Sequence, residues 1–210
     1  DGDEAKITIA IQKYANAICD TIYKYDLDGF DLDAEPNYAQ PFHTNKEMWQ
    51  GDRMNIFIRT MGKRIGPKAE TPEGRKKLLV VDGEPYWFSA DMALYFNYYI
   101  LQAYDCRSYA DLDNRLGGLV AQFSSKQSEE EIAKKLIVTE NFEAHSGTGG
   151  VTFTTRDGKK VPSYIGMATW QPLNGRKGGI GSYHMEKDYA ATPVYKYLRQ
   201  GIQLMNPAVK

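Results

Sequence analysis

Three carboxylates stand two residues apart in Asp31-Leu32-Asp33-Ala34-Glu35, preceded by Asp28 and Gly29 in an otherwise apolar run. Successive side chains of a strand point to opposite faces. Asp31, Asp33 and Glu35 therefore line one face, and Phe30, Leu32 and Ala34 the other. Like charges so close repel, and folding alone gains nothing from the row. Chemistry does gain, because crowding and burial can keep a carboxyl protonated near neutral pH, ready to act as an acid. Two other readings of the stretch stand beside this one. The first is a solvated, acidic strand end. The second is a calcium loop with Gly29 as its glycine and Glu35 as bidentate ligand, an alignment that sets Lys24 at the first ligand position and charged Asp31 where an apolar residue is usual.

Three further places carry groups able to meet a substrate. Leu78-Leu79-Val80-Val81 ends in Asp82, Tyr98 to Tyr104 closes as Gln102-Ala103-Tyr104-Asp105, and Ala168-Thr169 leads into Trp170. The elements that must position these groups follow from periodicity. Ile7, Ile11, Tyr14, Ile18 and Ile22 predict an amphipathic helix over about 4–25 that runs into the acidic strand. Met54, Phe57, Ile58, Met61 and Ile65 predict another over about 47–65, stopped by Gly66-Pro67. Leu78–Asp82 reads as a strand buried on both faces. Ser89 caps a short helix, Tyr98–Tyr104 is the next strand, and a helix near 109–123 follows. Ser128-Glu129-Glu130-Glu131 opens one more helix, and Leu136–Thr139 is again a strand. The segment 143–161, rich in Gly and Thr, contains the hairpin signal Arg156-Asp157-Gly158-Lys159 and reads as an inserted flap. Tyr164–Trp170 is read as the last strand, and Thr192-Pro193 as the start of the final helix. Strand and helix alternate throughout, the mark of a parallel α/β architecture.

With 210 residues, 42% of them hydrophobic, and a net charge of −1, the chain suits one domain with a sizeable core and offers no electrostatic case for nucleic acid. Fifteen tyrosines and three tryptophans can stack on sugars, but they can equally fill a core. Cys19 and Cys106 permit one disulfide or none. Neither lies in metal-ligand spacing with His43, His145 or His184, so no metal and no cofactor is expected. No apolar run reaches the ~18 residues of a transmembrane segment.

The run Asp28-Gly29-x-Asp31-x-Asp33-x-Glu35 resembles the signature of glycoside hydrolase family 18, the chitinases and endo-β-N-acetylglucosaminidases, where it lies on the fourth strand of a (β/α)8 TIM barrel. Gln102-x-Tyr104-Asp105 is similar to the sixth-strand motif. Gln102 stands where chitinases usually carry Met and looks more like the endoglycosidases of the N-glycan chitobiose core. Trp170 is similar to the tryptophan that floors the −1 sugar pocket on the eighth strand. The order of the three motifs fits strands four, six and eight. The resemblance thus implies that residues 1–210 are a single catalytic domain holding the C-terminal part of a barrel, about strands four to eight, with the N-terminal barrel half elsewhere in the parent chain.

The chemistry that the resemblance implies is substrate-assisted hydrolysis with retention. Active-site residues of such barrels lie at the C-terminal strand ends. Glu35 is then the general acid, and Asp33 orients the substrate's acetamido group under the influence of Asp31. Tyr104 and Gln102 hold the acetamido carbonyl, while Asp28, Asp82, Asp105 and Trp170 bind the glycan. The implied substrate is a glycan or glycoprotein with N-acetylglucosamine at the cleaved position, met in an extracellular, periplasmic or cell-surface setting. A chitinase and a glycan-binding barrel without activity are the alternatives.

Overall fold

The computed structural model describes residues 3–38 and 46–207. They divide into two compact units, Asp1–Tyr99 with Gln122–Ser128, and Ile100–Ala121 with Glu129–Lys210. The architecture is α/β with mostly parallel strand pairing.

The first unit opens with α1, Glu4–Lys24, capped by the Asp3 carboxylate, which accepts the Ala5 N–H at 3.0 Å. Its apolar stripe buries Ala15, Cys19 and Ile22. The expected helix over 47–65 is two helices, α2 at Lys46–Gln50 and α3 at Asp52–Gly62. Gly51 separates them with an extended backbone, as a residue poor at sustaining a helix does. Tyr14 stacks on Phe57 at 6.0 Å between α1 and α3, and the Tyr23 hydroxyl donates to the Arg64 carbonyl at 2.7 Å.

β1, Gly29–Ala34, pairs in parallel with β2, Leu78–Gly83, in a register that sets Gly29 beside Leu78, Asp33 beside Asp82 and Ala34 beside Gly83. The approach at the strand entry is tight enough that a Cβ on Gly29 would lie 2.0 Å from the Leu78 carbonyl oxygen. Leu79, Val80 and Val81 are buried, as expected for a strand covered on both faces. Beyond β2, the rings of Trp49, Phe88, Phe96, Tyr99 and Phe123 contact one another in sequence at centroid distances of 5.9, 5.5, 6.4 and 5.2 Å. Each such contact adds about 0.5–1.5 kcal/mol beyond area burial, so much of the aromatic supply is core. Ser89 precedes a short 3-10 turn, Ala90–Leu94, but its hydroxyl donates to Asn55 Oδ1 at 2.7 Å and does not cap it.

β3, Tyr98–Gln102, carries the chain into the second unit. It stops two residues short of the expected Tyr104, because the backbone turns there and Asp105 takes a left-handed conformation (φ 59). α4 (Tyr109–Phe123), α5 (Glu129–Lys135) and β4 (Leu136–Asn141) follow where expected, α5 just after its capping box. The flap carries the expected hairpin, β5 (Thr152–Thr154) antiparallel to β6 (Lys160–Pro162), with Gly158 supplying a positive φ at its turn.

Two expectations about the last third are corrected. Residues Ser163–Thr169 form helix α6, not a strand. The run Tyr164-Ile165-Gly166-Met167-Ala168 is apolar on all sides, so its pattern does not distinguish strand from helix, and Met and Ala favour helix. The last strand is β7, Gly179–Tyr183, parallel to β4, which its glycines concealed. The final helix, α7, spans Lys196–Met205 and does not begin at Thr192-Pro193. Its capping group is Asp188, whose carboxylate accepts the Leu198 N–H at 2.8 Å while its carbonyl accepts the Tyr195 N–H at 3.1 Å. Among the described residues no helix is long and apolar enough to cross a membrane.

Candidate active site

The acidic row is built by β1 and β2. Asp31 and Asp33 alternate with half-buried Phe30 and Leu32, and Glu35 follows directly after the strand. Asp82, half-buried, joins the row from β2 as the register partner of Asp33. Burial, reinforced by the charge of Asp31 and then those of Asp33 and Glu35, pushes the Asp82 carboxyl up to about 6, although the Gly83 N–H opposes the shift. That N–H donates to Asp82 Oδ1 at 2.6 Å. Asp31 is also raised, by burial and then by Asp33, and Asp33 by burial and then by Glu35. Both keep substantial solvent contact at their surfaces, so desolvation at the carboxyl, not full enclosure, is the cause.

The chain beyond the row is tied down. Gly83 has φ +98, and a Cβ on it would come within 2.3 Å of the Ala34 carbonyl oxygen, so only glycine allows β2 to lie this close to the end of the acidic strand. The Glu84 N–H donates to that same carbonyl at 2.8 Å. The Glu84 carboxylate then accepts the Asn37 N–H at 3.0 Å, the Asn37 side-chain amide, and the Tyr86 hydroxyl at 2.8 Å. The loops after β1 and β2 thus brace each other around Glu35.

Asp28 is set apart from this group. It precedes β1, and Glu35 follows it; at roughly 3.3 Å per residue the two lie roughly 23 Å apart along the strand. Its carbonyl accepts the Leu78 N–H at 2.8 Å, which makes it part of the strand entry. Asp28 therefore stands at the opposite end of β1 from Glu35.

Gln102, Tyr104 and Asp105 belong to the second unit. Gln102 and Tyr104 are half-buried, and the Gln102 carbonyl accepts from Arg115 at 3.3 Å. Asp105 is exposed and pairs with His145, whose Nε2 lies 2.6 Å from Asp105 Oδ1. Beneath them is Glu140, a residue the sequence reading passed over. It is fully buried, and its Oε1 accepts the N–H groups of Asp105 at 3.1 Å and Asn141 at 2.8 Å, while its Oε2 accepts the Ser163 hydroxyl. The signal for it was available: an acid at the end of Leu-Ile-Val-Thr-Glu stands as Asp82 does at the end of Leu-Leu-Val-Val-Asp. Asp105, Glu140 and His145 offer ligand atoms within 4.8 Å of one another. The three protein donors on Glu140 account for that buried carboxylate without an ion.

Trp170 does not stand at a strand end. It follows α6, its ring is 0% exposed, and its indole N–H donates to Asp113 Oδ1 at 2.8 Å. Lys177, itself buried, donates to the carbonyls of Ala168 at 3.0 Å and of Trp170, and burial holds its ammonium down at about 8. No ring face of Trp170 is left for a sugar, and the expected role as pocket floor is corrected. The aromatic that does end the last strand is Tyr183, 52% exposed and in edge contact with His184 at 4.6 Å. Cys19 and Cys106 are free, buried thiols, and burial pushes both up.

Comparison with known proteins gives this geometry a context. Residues 1–204 match the model of glycoside hydrolase family 18, BT1044-like. The chain is 27% identical over 218 residues to endo-beta-N-acetylglucosaminidase F2 of Elizabethkingia meningoseptica, covering 95% of this chain and 58% of that protein. It is 26% identical over 236 residues to endo-beta-N-acetylglucosaminidase EndoS of Streptococcus pyogenes serotype M1, covering 95% of this chain and 23% of that one. Among solved structures, a selenomethionine BT1044 carrying a glutamate-to-glutamine substitution superposes with a TM-score of 0.76 at 32% identity, over 94% of this chain and 59% of the other. An endo-beta-N-acetylglucosaminidase double mutant from Cordyceps militaris, in complex with fucosyl-N-acetylglucosamine-Asn, superposes with a TM-score of 0.63 at 23% identity, over 95% and 64%, and at that identity shows likeness of fold. The chain thus spans a little under three fifths of the length of F2. Matched by its family model along nearly all of its length, the chain belongs to glycoside hydrolase family 18.

Proposed function

We propose that residues 1–210 act as one catalytic domain of a retaining endo-β-N-acetylglucosaminidase that cleaves the β-1,4 linkage in the chitobiose core of N-linked glycans. The observation that carries the reading is the crowding of Asp31, Asp33 and Asp82 on adjacent parallel strands, with all three carboxyls raised. Its support from comparison is that F2 and EndoS, the curated relatives, are both named as endo-beta-N-acetylglucosaminidases. In this reading β1, β2, β3, β4 and β7 serve as strands four to eight of a (β/α)8 barrel whose N-terminal half lies elsewhere in the parent chain. The share of its relatives that the chain covers supports this.

Enzymes of this family dispense with a protein nucleophile and use the substrate's own 2-acetamido group. Glu35 donates its proton to the glycosidic oxygen as the bond from that oxygen to the anomeric carbon breaks. The acetamido carbonyl oxygen bonds to the anomeric carbon, giving a cyclic oxazolinium ion. Asp33 accepts the acetamido N–H and offsets the positive charge, with Asp31 and Asp82 setting its electrostatic surroundings. The Tyr104 hydroxyl and the Gln102 amide donate to the acetamido carbonyl and keep it in line. Glu35, now a carboxylate, takes a proton from water as that water attacks the anomeric carbon and opens the ring, so configuration is retained. The sugar-stacking role falls to Tyr183 at the end of β7, and Asp105 contacts glycan at the rim. Such substrates are met outside the cytoplasm, which supports an extracellular, periplasmic or cell-surface setting for the enzyme.

The test is digestion of a denatured N-glycoprotein and of chitin oligomers by the full natural chain, read by mass spectrometry. One N-acetylglucosamine left on each glycosylated asparagine, with chitin oligomers cleaved slowly, is the expected result. Rapid chitin cleavage beside an untouched glycoprotein makes the protein a chitinase. Glycan binding without either cleavage makes it a lectin-like barrel.

A further inference from the structure

Glu140 is the penultimate residue of β4, is fully buried, and has no part in the mechanism above. A buried carboxyl must find partners, and the partners of this one tie together separate segments of the second unit. Asp105 contributes its amide from the turn after β3, Asn141 its amide from the end of β4, and Ser163 its hydroxyl from the first residue of α6. Gly150, at the base of the flap, packs against the Glu140 and Ser163 pair, since a Cβ there would come within 2.8 Å of Glu140 Oε2 and nearer still to the Ser163 hydroxyl. The Asp105 amide is the informative partner. It belongs to the peptide that begins at the Tyr104 carbonyl, and Asp105 holds a left-handed backbone (φ 59), which a residue with a Cβ keeps where its surroundings enforce it. The Asp105 carboxylate is held in turn by His145.

We propose that Glu140 is a positioning residue for Tyr104. By fixing the Tyr104–Asp105 peptide through the Asp105 amide, it aims the phenol that receives the substrate's acetamido carbonyl. The inference rests on the role given to Tyr104 above. Glu140 itself does not meet the sugar, because both of its oxygens are engaged by protein donors.

A double-mutant cycle in the full natural chain separates this role from a purely structural one. Glu140→Met removes the acceptors at similar volume, and Glu140→Gln keeps an acceptor oxygen for the Asp105 amide. Glu140→Met is expected to lower kcat on a glycopeptide roughly 10-fold with KM within about twofold, inside the ~10²-fold that a ~1 Å misplacement costs. Glu140→Gln is expected to recover most of that rate. In a Tyr104→Phe background, Glu140→Met should remove nothing further. Losses that multiply, or a Glu140→Met enzyme as fast as wild type, overturn the inference while leaving the role of Tyr104 intact. If Tyr104→Phe alone leaves kcat unchanged, the reading of Tyr104 fails and this inference fails with it. Should Glu140→Met not fold, Ser163→Ala, which frees Glu140 Oε2, enters the same cycle with an expected loss of about threefold, and additivity there overturns the proposal equally.

Discussion

Asp33 and Asp82 are register partners on adjacent parallel strands, so their side chains share one face of the sheet. Neighbouring strands lie roughly 4.8 Å apart, and Asp31 stands two residues back on the same face. Two of the three are surface-accessible while Asp82 is half-buried, which is why the largest upward shift, to about 6, falls on Asp82. The Gly83 N–H that donates to Asp82 resists it.

That shift makes a stability prediction whose sign is unusual for an aspartate. Below pH 3.8 Asp82 is protonated in both folded and unfolded chains. Between 3.8 and about 6 the folded chain binds more protons, so stability falls as pH rises, and the full penalty is present above 6. For a half-buried carboxyl screened by solvent, the penalty amounts to about 1–2 kcal/mol. Asp82→Asn is expected to raise Tm at pH 7.5 and leave it nearly unchanged at pH 3.5. Thermal melts across this range check it, and an equal effect at both ends would place the cause in packing.

Gly83 is expected to tolerate no side chain. Gly83→Ala must accommodate a positive φ and a Cβ 2.3 Å from the Ala34 carbonyl oxygen, and should destabilise by at least ~2 kcal/mol. Because that displacement falls beside Glu35, activity at a temperature where the variant is still folded should fall as well. A folded variant with wild-type kcat/KM would show that the loops after β1 and β2 relax independently.

How far the sequence alone reveals this molecule depends on how each element is specified. Alternation placed Asp31 and Asp33 on one face of β1, helical spacing placed α1, and the capping box at Ser128-Glu129-Glu130-Glu131 announced α5. Register was not visible, so the pairing of Asp33 with Asp82 emerged only from the fold, although both residues had been singled out. The errors cluster where local pattern is silent. Tyr164–Ala168 is apolar on every side and fits either period, while Gly179-Ile180-Gly181 lacks the side chains that mark a strand. Reading the strand as Tyr164–Trp170 drew Trp170 into the site and hid Tyr183. The cap of α7 comes from Asp188, a contact across a turn that no windowed pattern reports. Glu140 carries the same strand-end pattern as Asp82, but what it does depends on Asp105 and Ser163, partners distant in sequence that only the fold brings to it.

For catalysis, Glu35→Gln in the full natural chain should lower kcat by at least ~10²-fold, the lower end of general acid–base contributions, with the fold intact. Activity within threefold of wild type would remove Glu35 as the acid.

Asp33→Asn tests substrate assistance separately. A preformed glycan oxazoline enters the reaction after the step in which Asp33 is needed. The variant should therefore lose hydrolysis of glycoproteins yet still transfer glycan from the oxazoline to an N-acetylglucosamine acceptor. Proportional loss of both reactions in a folded protein would count against an orienting role for Asp33.

The two aromatics of the last third should respond in opposite ways. Trp170 is enclosed, and its indole N–H is committed to Asp113. Trp170→Phe removes that donor, although Asp113 keeps Arg156 and solvent, and leaves a gap where a fully buried ring stood, at a cost of about 1–3 kcal/mol. In a chain of this size that corresponds to a Tm drop of a few degrees, about 2–4 °C per kcal/mol, with KM for a glycopeptide close to wild type. Tyr183 is exposed at the end of β7 and supports little of the core. Tyr183→Ala should leave Tm nearly unchanged and raise KM at least ~10-fold, equivalent to about 1.4 kcal/mol of lost binding. Melting curves and steady-state kinetics on the same pair of variants decide the matter. A raised KM for Trp170→Phe with an unaltered Tm would return the sugar platform to Trp170 and require α6 to open when substrate binds.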